Sequence, residues 1–147
     1  MDIIKNFGER LNGLIIESKL TVQSLGKAIN CSPSSIYEWQ SGKVAYMPSI
    51  ANLLLLADYF QCSLDYLIGI SEHGGTIMIK DRPPFSVWFR TAIEARGYNL
   101  YKLGKSTQMG TAQYYAWISG QTEPSIDSLL RISAVINCSL DYLVGRE

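Results

Sequence analysis

One eight-residue motif occurs twice in this chain, as CSLDYLIG at 62–69 and as CSLDYLVG at 138–145. Seven of the eight residues are identical, and the copies lie 76 residues apart. Upstream, PSIANLL at 48–54 matches PSIDSLL at 124–130 at the same spacing. A longer loop in the first copy then changes the spacing to 78 residues, and the matching pairs are Phe7 and Phe85, Leu25 and Leu103, Trp39 and Trp117, and Gly42 and Gly120. A repeat of this length predicts two copies of one small folded unit.

The repeat divides the 147 residues into two small domains and a connecting segment. We predict a first domain at 1–70, a linker at 71–84 and a second domain at 85–147. Each domain is near the smallest size that folds alone, and 47% apolar residues are enough for two compact cores. Within the linker, residues 76–80 alternate weakly between apolar and polar side chains. The linker is therefore either a flexible tether or a short strand that docks on a domain or pairs in a dimer.

The charge balance argues against an obvious nucleic-acid binder. Formal net charge is +0, from 13 basic and 13 acidic residues. Proteins that bind nucleic acids usually carry a basic excess, because neutralising phosphates supplies most of their non-specific affinity. Only a local basic face would serve such a function here.

Several other classes of protein lack support in the sequence. The N-terminal stretch has no apolar core of a signal peptide, and the longest apolar run is far too short for a membrane span, which predicts a cytoplasmic protein. Three cysteines without a CxxC pair and a single histidine, His73, argue against a disulfide framework and a metal site. No glycine-rich phosphate loop or nucleophile–base pair is visible. We therefore predict that the chain is not an enzyme and that it needs no cofactor or small-molecule substrate.

Each half has the pattern of five short helices, so the predicted fold class is all-α. Apolar side chains recur at helical spacing, and Trp39 and Trp117 lie on such stripes and are expected in the core. Left-handed C-caps are expected at Gly42 and Gly120, which end the third helix of each half. Polar caps mark the predicted helix starts, which are Thr21, Ser32, Ser49 and Ser63 in the first half and Asn99, Ser125 and Ser139 in the second.

The second and third helices of each half meet at a tight turn. Gly26 and Gly104 stand where the helices should approach closely, and a mid-helix glycine costs about 1 kcal/mol relative to alanine, so a packing reason is expected. The turn needs a residue that tolerates positive φ, for which Asn30 is well suited and Gln108 less so. The pattern predicts a helix-turn-helix in each half.

Both halves resemble the Cro and phage-repressor type of helix-turn-helix domain, a five-helix fold of bacterial and phage transcription regulators. In the first half the likeness rests on Leu25, Gly26, Ile29, Cys31, Ser32, Ile36, Trp39, Gly42, Pro48 and SLDYLIG. In the second half it rests on Leu103, Gly104, Met109, Tyr114, Trp117, Gly120, Pro124 and SLDYLVG. The resemblance implies two tandem lambda-repressor-like domains.

The resemblance also implies roles for particular residues. In this family the third helix enters the major groove of double-stranded DNA, where its exposed residues read base edges. The implied base-reading residues are Pro33, Ser34, Ser35, Tyr37 and Glu38 in the first half, and Thr111, Ala112, Gln113, Tyr115 and Ala116 in the second. The lysines implied to reach phosphates are Lys27, Lys43, Lys102 and Lys105.

Some positions depart from the family pattern. Val22 and Leu100 stand where the family often has a phosphate-gripping glutamine, and neither third helix carries a lysine or arginine. Thr107 takes a place that is usually apolar. The second half is therefore the more diverged, and its contact with DNA is expected less strongly.

The run LLLL at 53–56 suggests an interface. Two of its leucines complete the core stripe of the fourth helix, which leaves Leu55 and Leu56 as surplus apolar residues. Their counterparts in the second half are Arg131 and Ile132. We take Leu55, Leu56 and Ile132 as candidates for a contact between the two units or between chains, in a homodimer or an intramolecular pseudo-dimer.

Two functions remain open on the sequence. The preferred one is a sequence-specific DNA-binding transcriptional regulator, a repressor, with two reading heads in one chain that recognise an operator-like site. The alternative is a helix-turn-helix module that binds a partner regulator instead of DNA, which the zero net charge and the uncharged third helices favour.

Overall fold

A computed structural model describes residues 2–73 and 81–147. The chain separates into two compact units, Met1–Met78 and Ile79–Glu147, and each is described by itself below. The weak strand pattern at 76–80 lies outside the described residues. The predicted domain and linker boundaries are not tested by this division and stay predictions.

The described residues form ten helices and no strands, which confirms the all-α prediction. The first unit contains α1 (Ile3–Glu17), α2 (Val22–Ile29), α3 (Pro33–Ser41), α4 (Ile50–Phe60) and α5 (Leu64–Leu67). The second contains α6 (Phe85–Ala95), α7 (Leu100–Thr107), α8 (Thr111–Ile118), α9 (Ile126–Ile136) and α10 (Leu140–Leu143). None of these helices combines the length and the apolar character needed to cross a membrane.

Hydroxyl and amide side chains start the helices where the sequence predicts. Ser32, Ser49 and Ser63 each accept a hydrogen bond from a backbone N–H in the first turn of the following helix. Thr21 forms a full capping box with Ser24. The second unit repeats these caps at Asn99, Ser125 and Ser139. Because each such cap contributes about 1 kcal/mol, the local sequence alone defines most of the helix starts.

The left-handed C-cap predicted for the third helix is confirmed at Gly42, whereas in the second unit the residue with positive φ comes one position after the C-cap. Gly42 has φ +66° and forms the C-cap of α3. In the second unit Ser119 is the C-cap of α8, and Gly120 follows it with φ +79°. The chain therefore turns away from both helices through the left-handed region, which glycine enters without steric cost.

Large side chains from the predicted stripes fill both cores. In the first unit α1 packs on α3, and the Phe7 and Trp39 rings lie 6.5 Å apart. In the second unit α6 packs on α8, with Phe89, Tyr114 and Trp117 in a mutual cluster whose closest centroids are 5.3 Å apart. Both tryptophans are buried, which confirms their predicted place in the core.

The predicted surplus of apolar residues on the fourth helix is wrong for two of its three members. Leu56 and Ile132 are fully buried, and only Leu55 is exposed, at 43%. The reason is the rotation of about 100° per residue. The inward face of α4 is centred on Leu53 and continues through Leu56, so that Leu54 lies at the edge of this face. Leu55 points to the opposite side and alone keeps the predicted exposure.

Candidate nucleic-acid interface

The turn between α2 and α3 is built around Gly26. A Cβ at this position would lie 2.7 Å from the carbonyl oxygen of Cys31, closer than real Cβ atoms approach. Asn30 caps α2 in the left-handed conformation, with φ 57°. The predicted close approach at the glycine is therefore confirmed, and the tightest contact is with the carbonyl of the turn.

The second unit repeats this turn with more room. A Cβ on Gly104 would lie 3.1 Å from the Met109 carbonyl oxygen, and the next atom, the Thr111 methyl, is 3.5 Å away. Gln108 takes the left-handed conformation with φ 60°. Both units therefore direct the chain from the second helix into the third in the same way, although a glutamine replaces the better-suited asparagine.

The outer face of α3 carries all five predicted base-reading residues of the first unit. Ile36 and Trp39 point into the core, while Pro33, Ser34, Tyr37 and Glu38 are exposed and Ser35 is half-buried. This separation follows from helical periodicity, since the two core residues are three positions apart. A partner that approaches this face meets hydroxyls and one carboxylate.

Three serine hydroxyls cluster at the start of α3. The Ser32 hydroxyl accepts a hydrogen bond from the backbone N–H of Ser35, and it lies 2.9 Å from the Ser35 hydroxyl and 3.2 Å from that of Ser34. Ser35 is thus part of the helix cap. Ser34 is the better residue for testing recognition, because its backbone does not depend on the cap hydrogen bond.

The sequence did not single out Gln23, which the structure places beside the reading face. Its side-chain amide donates to the Tyr37 hydroxyl across 3.4 Å, from the first turn of α2. Tyr37 is 52% exposed. No local pattern connects residues 14 positions apart on different helices, so only the packing of α2 against α3 reveals this pair.

The outer face of α8 holds the corresponding residues of the second unit. Thr111, Ala112, Gln113 and Tyr115 are exposed, and Ala116 is half-buried. Gly110 starts this helix without a side-chain cap. Of these residues only Gln113 carries a long polar group, so α8 presents fewer hydrogen-bonding groups than α3.

The four predicted phosphate-contacting lysines are exposed. The Lys102 ammonium lies 4.7 Å from the centre of the Tyr98 ring, and the Lys105 ammonium lies 4.8 Å from that of Tyr101. None of the four lysines forms an ion pair within the part of the chain that the structure describes. Their charges are therefore available to an anionic partner.

The zero net charge hides a local excess of positive charge. From the cap of α2 to the residue after Gly42, residues 21–43 contain two lysines and one glutamate, for a net charge of +1. The matching segment 99–121 contains two lysines and no acidic residue, for a net charge of +2. Twelve of the 13 acidic residues thus lie outside the two helix-turn-helix segments. Each helix-turn-helix segment therefore carries a small excess of positive charge, although the whole chain is neutral.

Beneath α8 the second unit has a buried polar pair. The Thr107 hydroxyl donates to the Leu103 carbonyl and also shares a hydrogen bond with the Tyr114 hydroxyl. Burial raises the pKa of Tyr114, against smaller opposing effects of the hydrogen bond and the Arg131 charge. The threonine that departs from the family pattern is therefore satisfied within the core.

Comparison with known proteins agrees with this geometry. The family model described as helix-turn-helix matches the chain twice, at residues 14–67 and 89–143. Searches of curated proteins and of solved structures gave no significant match. The matched family consists of DNA-binding regulator domains and is not a family of enzymes. The chain belongs to the Cro/C1-type helix-turn-helix family and carries two copies of its domain in tandem.

Proposed function

We propose that this protein is a sequence-specific DNA-binding repressor with two DNA-contacting heads in one chain. The observation that carries this proposal is the pairing of an exposed third helix with a net positive segment in each unit. A third helix of this kind enters the major groove, while lysines near it neutralise phosphates. Repression then follows when an occupied operator blocks polymerase.

In the first unit, Ser34 and Glu38 are the principal candidates for reading bases. A carboxylate accepts from the N4 amino group of cytosine, and a serine hydroxyl donates to or accepts from several base edges. Lys27 lies in the last turn of α2, and Lys43 follows Gly42, the C-cap of α3. Their role is to hold the helix in the groove by phosphate contacts.

Two heads in one chain suit an operator with two parts. Related dimers place two recognition helices about one DNA turn, roughly 34 Å, apart. The 15 residues 70–84 between the two repeated units would span up to about 50 Å when extended. One chain is therefore long enough to occupy two half-sites as a pseudo-dimer, and a homodimer would occupy four.

The test is selection of bound duplexes from a random DNA pool, followed by affinity measurements across a range of salt concentrations. We expect an enriched site whose affinity falls steeply with salt, because counterions are released from phosphates. Ser34→Ala should weaken binding to that site about 3- to 10-fold, the effect of one lost hydrogen bond. Absence of any enriched site would refute sequence-specific recognition.

A protein-binding role is the second candidate. It is favoured by the third helices themselves, since neither α3 nor α8 carries a lysine or arginine. This alternative predicts feeble DNA binding even at low salt, together with retention of a partner regulator by the same helix faces. Strong, salt-dependent binding to random duplex DNA would exclude it as the main function.

A further inference from the structure

The two helix-turn-helix faces differ in what they offer to DNA. The exposed part of α3 carries hydroxyls and a carboxylate, whereas α8 carries two alanines at matching positions. The Thr111 methyl lies 3.5 Å from where a Gly104 Cβ would be, although the residue is exposed. Gln113 carries the one long polar side chain among the outer residues of α8. The second face is poor in groups that distinguish one base pair from another.

The same face is rich in groups that bind a DNA backbone. Tyr101 is 65% exposed and Tyr115 is 56% exposed. They occupy the positions of Gln23 and Tyr37, whose side chains touch in the first unit, so both tyrosines belong to one face. Tyrosine hydroxyls donate to phosphate oxygens, and their rings pack on the apolar faces of sugars.

The charge of this face suits a polyanion. Residues 99–121 have a net charge of +2 and no acidic side chain, and the nearest carboxylate along the chain is Glu123 in the following loop. Lys105 is held above the Tyr101 ring, at 4.8 Å, and Lys102 above the ring of Tyr98, at 4.7 Å. The Lys102 ammonium also donates to the Gly97 carbonyl at 3.4 Å.

We propose that the second unit is a sequence-independent anchor on the DNA backbone, while the first unit reads the sequence. This inference rests on the proposed function and refines it: one part of the operator is read by the first unit, and the second unit contacts the neighbouring duplex whatever its sequence. The anchor raises the affinity of the whole chain for any duplex. The first unit then discriminates between DNA sequences. Because the linker joins the two units, the second contact with DNA is an intramolecular event.

The test uses the full chain and two duplexes of equal length, the selected site and a scrambled sequence. Lys102→Gln with Lys105→Gln should weaken binding to both duplexes by the same factor, at least about tenfold at 0.1 M salt. The slope of log affinity against log salt should fall by about 0.9 for each lost phosphate contact. If this double variant bound the scrambled duplex as tightly as the wild type does, the proposed role of the second unit as an anchor would be wrong.

Matched substitutions on the two third helices test the division of roles. Gln113→Ala removes the one long polar side chain of α8 and should lower the ratio of the two affinities by no more than about twofold, whereas Ser34→Ala should lower this ratio about 3- to 10-fold. A drop in the ratio for Gln113→Ala as large as that for Ser34→Ala would make the second unit a reader and refute the proposal.

Failure of the proposed function gives a different result. A wild-type chain that enriches no site refutes sequence reading, yet the lysine variant still decides the anchor through binding to random duplex DNA. Thermal unfolding of each variant checks that it is folded. Tyr101→Ala is a second test that changes no charge. It should weaken binding to both duplexes without changing the slope of log affinity against log salt.

Discussion

The two units tie their first helix to their last through the same acceptor with different donors. In the first unit the Arg10 guanidinium donates to the Tyr66 carbonyl at 2.7 Å and also stacks on the Tyr66 ring, 3.7 Å from its centre. In the second unit the Trp88 indole N–H donates to the Tyr142 carbonyl, again at 2.7 Å. The repeated motif supplies the acceptor, and any donor of suitable reach on the first helix completes the contact.

In the first unit one arginine, Arg10, both donates the hydrogen bond and stacks on the tyrosine ring. In the second unit two residues share these contacts. Trp88 takes over the hydrogen bond, and Arg96, from the end of α6, places its guanidinium 4.6 Å from the centre of the Tyr142 ring. The tyrosine ring thus receives a cation in both units. The fold therefore keeps the interaction at this position even though different residues make it in the two units.

The layer below the third helix shows the same freedom. Ile29 and Ile36 are buried apolar residues in the first unit, and Thr107 and Tyr114 replace them in the second. The replacement adds two polar groups to the core, and each has a hydrogen-bond partner there. Buried polar groups are tolerated when they are paired, so the second core remains compatible with the same backbone.

The largest expected effects test what the two units share. Leu56→Ala and Ile132→Ala should each destabilise their own unit by about 2–5 kcal/mol, because each leaves a cavity in a close-packed core. Leu55→Ala, on the exposed side of α4, is the control and should change stability by less than about 0.5 kcal/mol. Hydrogen exchange resolved for each unit measures these changes. Equal effects of Leu55→Ala and Leu56→Ala would contradict the assigned orientation of α4.

The next effect separates the two turns. Gly26→Ala should destabilise the first unit by about 1–3 kcal/mol, since the new methyl group collides with the Cys31 carbonyl. Gly104→Ala meets a looser contact and gains helix propensity of about 1 kcal/mol, so the change should stay within about 1 kcal/mol. Urea unfolding of both variants would show whether the turns differ as the distances indicate.

A smaller effect distinguishes the two ties between first and last helices. Arg10→Met removes the hydrogen bonds to the Tyr66 and Ser71 carbonyls, and Trp88→Phe removes the one to the Tyr142 carbonyl. Both variants keep most of the side chain, and each lost hydrogen bond costs about 1 kcal/mol. The contribution of Arg10 should fall in 1 M salt, because part of it is electrostatic, including an exposed pair with Glu72. The contribution of Trp88 to stability should not change in 1 M salt, because its hydrogen bond is between neutral groups. The same salt response in both variants would contradict this assignment.

The smallest effect at neutral pH is expected for Tyr114→Phe, and it should change sharply in alkali. Burial raises the folded-state pKa of Tyr114 above its ordinary value of about 10. The unfolded state therefore loses the phenolic proton first, and this residue's contribution to stability falls as pH rises above about 10. Phenylalanine does not ionise. The stability difference between wild type and variant should shrink across that range, and a constant difference would count against the raised pKa.

Much of the candidate site could be predicted from local patterns. Ser32, Pro33 and Gly42 define α3 by capping chemistry, and the period of Ile36 and Trp39 then separates its core side from its outer side. The placement of Leu56 could not be predicted in this way, because a run of four leucines is apolar on every side of the helix. Only the neighbouring helices determine which side is inward.

Local sequence patterns were sufficient to predict the two tandem units, the starts of most helices and the outer faces of α3 and α8. These features depend on spacing and on interactions within a few residues, which the chain carries locally. Three features became visible only in the packed structure: the contact of Gln23 with Tyr37, the buried pair of Thr107 and Tyr114, and the hydrogen bonds to the carbonyls of Tyr66 and Tyr142. Each of these joins residues from different helices, and their separation along the chain carries no signal until the helices pack.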